Sequence, residues 1–172
     1  AEWEVDPEAA YVYLCSNNTI HGTEFHEFPL TGDVPLVADM SSDIMSRPVN
    51  VDDFALIFAG AQKNLGPAGV TLVIVRKDVL ARTGDKIPTM FKYGTHVDKG
   101  SMFNTPPTFA IYMVGLVAKW ILKQGGLDAI EAMNSEKSEM LYECIDSSQI
   151  YVGTAAAADR SRMNITFRLT TD

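Results

Sequence analysis

The stretch "FALIFAGAQKNLGPAGVTLVIVRKD", Phe54 to Asp78, decides the fold. Two apolar runs, Phe54–Gly60 and Gly69–Asp78, flank a short segment of small residues, glycines and a proline. Neither run alternates strictly between apolar and polar residues. Continuous apolar runs of this length fit strands covered on both faces, as in an α/β sheet. Working outward, "VPLVADM" (Val34–Met40) is a run of the same kind. Its Pro35 lies near the start, where a missing N–H is tolerated. "AYVYLCS" (Ala10–Ser16) is β-branched and aromatic and supplies a fourth strand. Parallel pairing usually needs helical crossovers, yet few long helical segments separate these first strands.

The period changes in the last third. Phe109, Tyr112, Met113, Leu116, Val117, Trp120 and Ile121 recur at steps of three and four, one face of an amphipathic helix. Thr108 is placed to cap its start and Gly125–Gly126 to end it. Ile130, Met133, Met140, Leu141, Cys144 and Ile145 mark a second helix. "TAAAAD" (Thr154–Asp159) reads as a loop or turn, and "MNITFRLT" (Met163–Thr170) alternates as a strand. "DSSQ" interrupts the helical pattern near residue 147, which divides the chain into 1–147 and 148–172.

The chain has 172 residues, 47% hydrophobic and 21% charged, which suits one ordinary core. Its net charge of -8 argues against a nucleic-acid surface, which needs clustered Lys and Arg. It leaves small anionic substrates open, because a local site can oppose the global charge. No apolar run reaches membrane-spanning length and no basic-then-apolar leader is present, so a soluble, cytoplasmic chain without a membrane partner is expected. Cys15 and Cys144 are far apart and read as buried thiols of a reducing compartment. No metal site is expected, because Cys15, Cys144, His21, His26 and His96 lack ligand spacing.

Two residues suggest chemistry. Asp39 ends an apolar run and is followed by "MSSD". A carboxylate there either caps the following turn or meets a cationic ligand atom at the carboxyl ends of the strands. Lys63 follows the run Phe54–Gly60, with Ala59, Gly60 and Ala61 leaving space beside it. It is either a solvated surface lysine or an amine in a confined apolar site, where burial disfavours the charged form. A neutral amine attacks carbonyls. A pyridoxal phosphate site needs such a lysine and an acid that keeps the pyridine nitrogen protonated. "SNNTIHGT" (Ser16–Thr23) and "GSMFNTPPT" (Gly100–Thr108) offer donors for a phosphate or a phenolic oxygen, or are simply turns. "GPAG" has neither Walker nor dinucleotide spacing.

"NNTIHGTEF", "ADMSSDIMSRPVNV", "FAGAQKNLGPAGVT", "SMFNTPPTFAIY" and "RSRMN" occur in this order. With them the chain resembles the phosphoserine aminotransferases, class V aminotransferases of the pyridoxal phosphate fold type I group. The resemblance covers nearly the whole chain. It implies a large domain with a mainly parallel central sheet and helices, followed by the start of an α+β small domain. It implies that Lys63 is the cofactor-bound lysine and that Asp39 pairs with the pyridine nitrogen. Thr19 would lie near the phenolic oxygen and Gln62 at the phosphate. Asn104 and Thr105 would reach the cofactor phosphate of a neighbouring subunit in a homodimer. The reaction implied is amino transfer between O-phosphoserine and 2-oxoglutarate, in serine biosynthesis.

The family enzyme is about twice this length. Its Gly-rich phosphate loop, ring-stacking aromatic residue and substrate-binding arginines fall outside these 172 residues, so little transamination is expected of this chain alone. The alternative is a non-catalytic module that keeps the fold and only binds or assembles. A desulfurase is a third reading, weakened because neither cysteine lies in an evident mobile loop.

Overall fold

The structure, a computed structural model, describes residues 4–170. In chain order the strands of the first half are β1 (Val12–Cys15), β2 (Asn17–Asn18), β3 (Thr23–Glu24), β4 (Leu36–Asp39), β5 (Leu56–Gly60) and β6 (Thr71–Val75). Four of them form one sheet in the order β1-β4-β5-β6. β1, β4 and β5 are parallel, and β6 runs antiparallel to β5. The sheet is thus mostly parallel and the class is α/β, as the apolar runs indicate.

The parallel pairs are made without helical crossovers. Between β1 and β4 the chain forms the small antiparallel β2–β3 pair. Between β4 and β5 it passes through a single 3-10 turn at Val51–Asp53, capped by the Asn50 side chain accepting from the Asp52 N–H. The connections are long enough to reverse direction, and length, rather than helicity, is what geometry requires.

One face of this sheet holds the core. Leu14, Leu36, Ala38, Met40, Phe54, Ile57 and Ala59 pack together, with Phe25, Phe28 and Ile44 against them. The expectation of cover on both faces is not met within this chain. Tyr13 and Cys15 of β1 and Val73 and Ile74 of β6 are exposed. Cys144 is exposed too, so the two thiols are free but not buried.

The second half contains α1 (Lys77–Ala81), α2 (Tyr93–Asp98), α3 (Thr108–Gln124) and α4 (Leu127–Asp146), then β7 (Tyr151–Gly153) and β8 (Phe167–Leu169), which pair antiparallel. α3 ends where expected: Gly125 is left-handed at φ 111° and its N–H returns to Ile121 and Leu122. Its start differs. Pro107 occupies the cap, and the Thr108 hydroxyl donates instead to the Pro106 carbonyl at 3.3 Å. α4 ends at Ser147, close to the interruption at "DSSQ". Its packed side is Ile130, Ser138 and Ile145, whereas Met140, Leu141 and Cys144 face solvent. Among the described residues no helix is long and apolar enough to cross a membrane.

Candidate active site

Lys63 rides on a tight loop that follows β5. The Ala61 carbonyl accepts from the N–H groups of Leu65 (3.2 Å) and Gly66 (2.7 Å), while the Ala61 N–H donates to Val70 (2.9 Å). Asn64 pins the loop from the side by donating to the Ile44 carbonyl at 2.7 Å. Ala61 and Leu65 are buried beneath the turn. Gly66 presses on α3, where an added Cβ would lie 3.0 Å from the Val114 side chain. Small residues in "GAQKNLGPAG" therefore let the loop fold tightly onto the body. Lys63 itself is exposed, outside the confined apolar pocket considered from sequence. Its Nζ donates to the Thr19 hydroxyl at 2.6 Å.

Asp39 ends β4, the parallel neighbour of β5, opposite Phe58. Its Oδ1 accepts from both the backbone N–H (2.9 Å) and the hydroxyl (2.6 Å) of Ser41. Oδ2 makes no hydrogen bond among the described residues. The turn-capping reading of Asp39 is thus realised by one oxygen, and the other is left for a ligand. The Ser41 hydroxyl also accepts the Gly60 N–H at 3.0 Å. Ser41 was not singled out from sequence. Its signal was available: Asp followed two residues later by a hydrogen-bonding donor is the Asx-turn pattern.

Thr19 is set by a compact turn. The Asn18 side chain accepts from the N–H groups of Ile20 (3.1 Å) and His21 (3.0 Å), and the Asn18 carbonyl accepts from Gly22 (2.9 Å). Gly22 adopts φ +66°, and a Cβ there would lie 2.8 Å from the Asn164 carbonyl oxygen. Only glycine fits that approach.

A buried polar cluster underlies this turn. The Asn17 amide donates to Ser42 (2.8 Å) and to Asn164 (2.6 Å), and its carbonyl oxygen accepts from Ser161. Glu24 accepts from the Arg162 N–H (2.8 Å) and lies 3.2 Å from Arg47. Segment 160–166 is thereby tied to the β2–β3 pair. Ser16 donates to Asp43, whose carboxyl is pushed up to about 6, chiefly by burial and further by Glu24. On the exposed side, burial first and then Asp39 raise the Cys15 thiol above its ordinary value.

The structure therefore brings Thr19, Asp39 and Lys63 to neighbouring strand ends, with Gln62 next in the chain to Lys63. The Gln62 side chain folds back over Gly60, where an added Cβ would sit 2.4 Å from its Oε1. Asn104 and Thr105 are not at this place. They are exposed on the wall of a separate cavity of about 680 Å³, bounded by β6, α2 and the start of α3. Neither Lys63 nor Asp39 lines it.

A profile of the aminotransferase class-V family matches residues 1–171. The chain belongs to the class-V aminotransferase family. This class-V chain is 59% identical over 166 residues to the phosphoserine aminotransferase of Desulfatibacillum aliphaticivorans, covering 96% of this chain and 46% of that protein. The solved phosphoserine aminotransferase from Bacillus circulans subsp. alkalophilus superposes with a TM-score of 0.95 at 51% identity, covering 98% of this chain and 47% of the other. The enzyme of that name from Trichomonas vaginalis, solved with pyridoxal phosphate bound, superposes at 0.92 with 45% identity, over 97% and 49%. The class-V chain thus spans about half the length of these relatives. Relatives of this kind do not favour the non-catalytic module.

Proposed function

We propose that the protein carrying this chain is a phosphoserine aminotransferase. It moves an amino group between O-phospho-L-serine and 2-oxoglutarate, giving 3-phosphohydroxypyruvate and L-glutamate. The observation that carries this reading is the pair Asp39 and Lys63. They stand at the carboxyl ends of adjacent parallel strands, and neither forms an ion pair among the described residues. Opposite charges left open at such a position suit a ligand that uses both.

The residues fit pyridoxal phosphate. Oδ2 of Asp39 is open to a protonated pyridine nitrogen, and the Lys63 amine has only a hydroxyl for partner. Bound there, the cofactor supplies an electron sink for the bond broken at the substrate Cα. Lys63 would be the base that takes the Cα proton and returns it to the cofactor's C4′, on the far side of the amino nitrogen. Asp39 holds the ring-nitrogen proton in place. The Thr19 hydroxyl positions the Lys63 amine and can donate to the phenolic oxygen once that amine moves. Gln62 serves the phosphate.

Asn104 and Thr105 serve the phosphate of a second subunit in a homodimer. Their place on a wall apart from Lys63 supports that assignment. Residues 1–147 belong to the large cofactor domain and 148–172 open the small one, in an enzyme acting in the cytoplasm.

Borohydride reduction of the pyridoxal phosphate-loaded protein tests the reading. Peptide mapping should find the label on Lys63, and Lys63→Ala should abolish it. A label on another lysine, with cofactor affinity kept in Lys63→Ala, refutes the assignment.

A further inference from the structure

We propose that Ser41 is a positioning residue of this site, aiming one oxygen of Asp39 at the ring nitrogen and coupling it to the strand that carries Lys63. The inference rests on the pyridoxal phosphate reading above. A carboxylate turns about a terminal bond with a broad torsional minimum, so its two oxygens exchange unless something holds one of them. Here both donors of Ser41 converge on Oδ1 at 2.9 and 2.6 Å. Oδ2 is then the oxygen left open, and its direction is fixed.

The same hydroxyl has a second task. It accepts the Gly60 N–H at 3.0 Å, and Gly60 is the last residue of β5, three before Lys63. One hydroxyl, with a single proton to give and lone pairs to accept, therefore gives to the acid and receives from the lysine-bearing strand. Donating to an ionised acceptor makes its bond to Asp39 one of the stronger kinds. β4 and β5 already pair through Asp39 and Phe58. The Met40 N–H donates to the Phe58 carbonyl at 2.9 Å, and Ser41 carries the link on to Gly60 at the point where the acid and the amine must share one ligand.

A hydroxyl that only stabilised the turn would affect every ligand alike. The test therefore compares pyridoxal phosphate with its 1-deaza analogue, in which carbon replaces the ring nitrogen and no N–H faces Asp39. In the intact protein, Ser41→Ala should weaken pyridoxal phosphate binding by about tenfold, the scale of one lost charge-assisted hydrogen bond. Binding of the 1-deaza analogue should stay as in the parent, and Ser41→Thr should restore the parent's preference. Equal weakening of both ligands, or no weakening of either, overturns the inference. Borohydride labelling of Lys63 in the parent separates the two levels. With no label there, the amino-transfer reading falls and this inference with it. With a label but no change in preference, only the role of Ser41 falls.

Discussion

Replacing Asp43 by asparagine should stabilise the protein above neutral pH and leave it almost unchanged in acid. Asp43 is only 5% exposed. Its carboxyl is pushed from 3.8 up to about 6, first by burial and also by the Glu24 carboxylate. The Ser16 hydroxyl, Arg47 and its own backbone oppose the shift without cancelling it. The folded value exceeds the unfolded one, so between the two the folded state keeps a proton that the unfolded chain has released. The stabilising contribution of this group is therefore complete below about pH 3.8 and lost as pH rises through about 6. A shift of about 2 pH units corresponds to about 3 kcal/mol. Between pH 4.5 and 5.5 stability should fall by about 1 kcal/mol through this group alone.

Asp43→Asn keeps an oxygen for the Ser16 hydroxyl and cannot ionise. Urea unfolding of parent and variant from pH 4.5 to 8 measures the difference, with an unchanged denaturant slope as the control. The curves should lie about 1 kcal/mol apart at pH 4.5 and separate by up to about 3 kcal/mol at pH 8. Asp78 and Asp146 are held low by Arg76 and Arg160. They act in the opposite sense, losing stability as pH falls, but they are common to both proteins and cancel. Parallel curves across pH 5–7, or a variant less stable than the parent at pH 8, would refute the reasoning.

Gly22→Ala places a methyl group in a left-handed position, 2.8 Å from the Asn164 carbonyl oxygen. It should lower stability by at least about 1–2 kcal/mol, read from the urea midpoint. Asn17→Ala removes a side chain that is 1% exposed and leaves Ser42, Asn164 and Ser161 short of a partner. A loss of about 3 kcal/mol or more is expected, and a loss below about 1 would show that water replaces the amide. Cys15 is exposed, yet burial first and then Asp39 hold its thiol above its ordinary value. Maleimide should label Cys15 slowly at pH 7, and the rate should rise when Asp39 is changed to Asn.

The parts of this fold that were legible in the sequence depend on local rules. The runs Val34–Met40 and Phe54–Gly60 are apolar enough to be strands whatever surrounds them, and β4 and β5 lie within them. Gly125 ends α3 because its backbone needs φ 111°. What was not legible depends on contacts between distant segments. β6 reads like its neighbours but runs antiparallel, since the loop at 61–70 folds back on itself through Ala61 and Val70. The face of α4 was misassigned at Met140 and Leu141 because Ser138 and Ile145 are the residues that meet the body. A serine at a helix contact carries no hydrophobic signature.

The site divides along the same line. Asp39 and Lys63 are recognisable because each follows an apolar strand, and the ends of parallel strands are where groups converge. Their partners are less visible. Thr19 lies 44 residues before Lys63 and meets it only through the turn built by Asn18 and Gly22. Ser41 is polar, common and next to a second serine, so its identity carries little; its geometry carries all. Nor does small-residue context settle how a lysine is used. Ala59, Gly60 and Ala61 do not enclose Lys63, which is exposed. They let β5 turn sharply enough to set the amine beside Thr19 and one hydrogen-bonded step from the Asp39 turn. The spacing of these groups, rather than burial of the amine, is what this segment specifies.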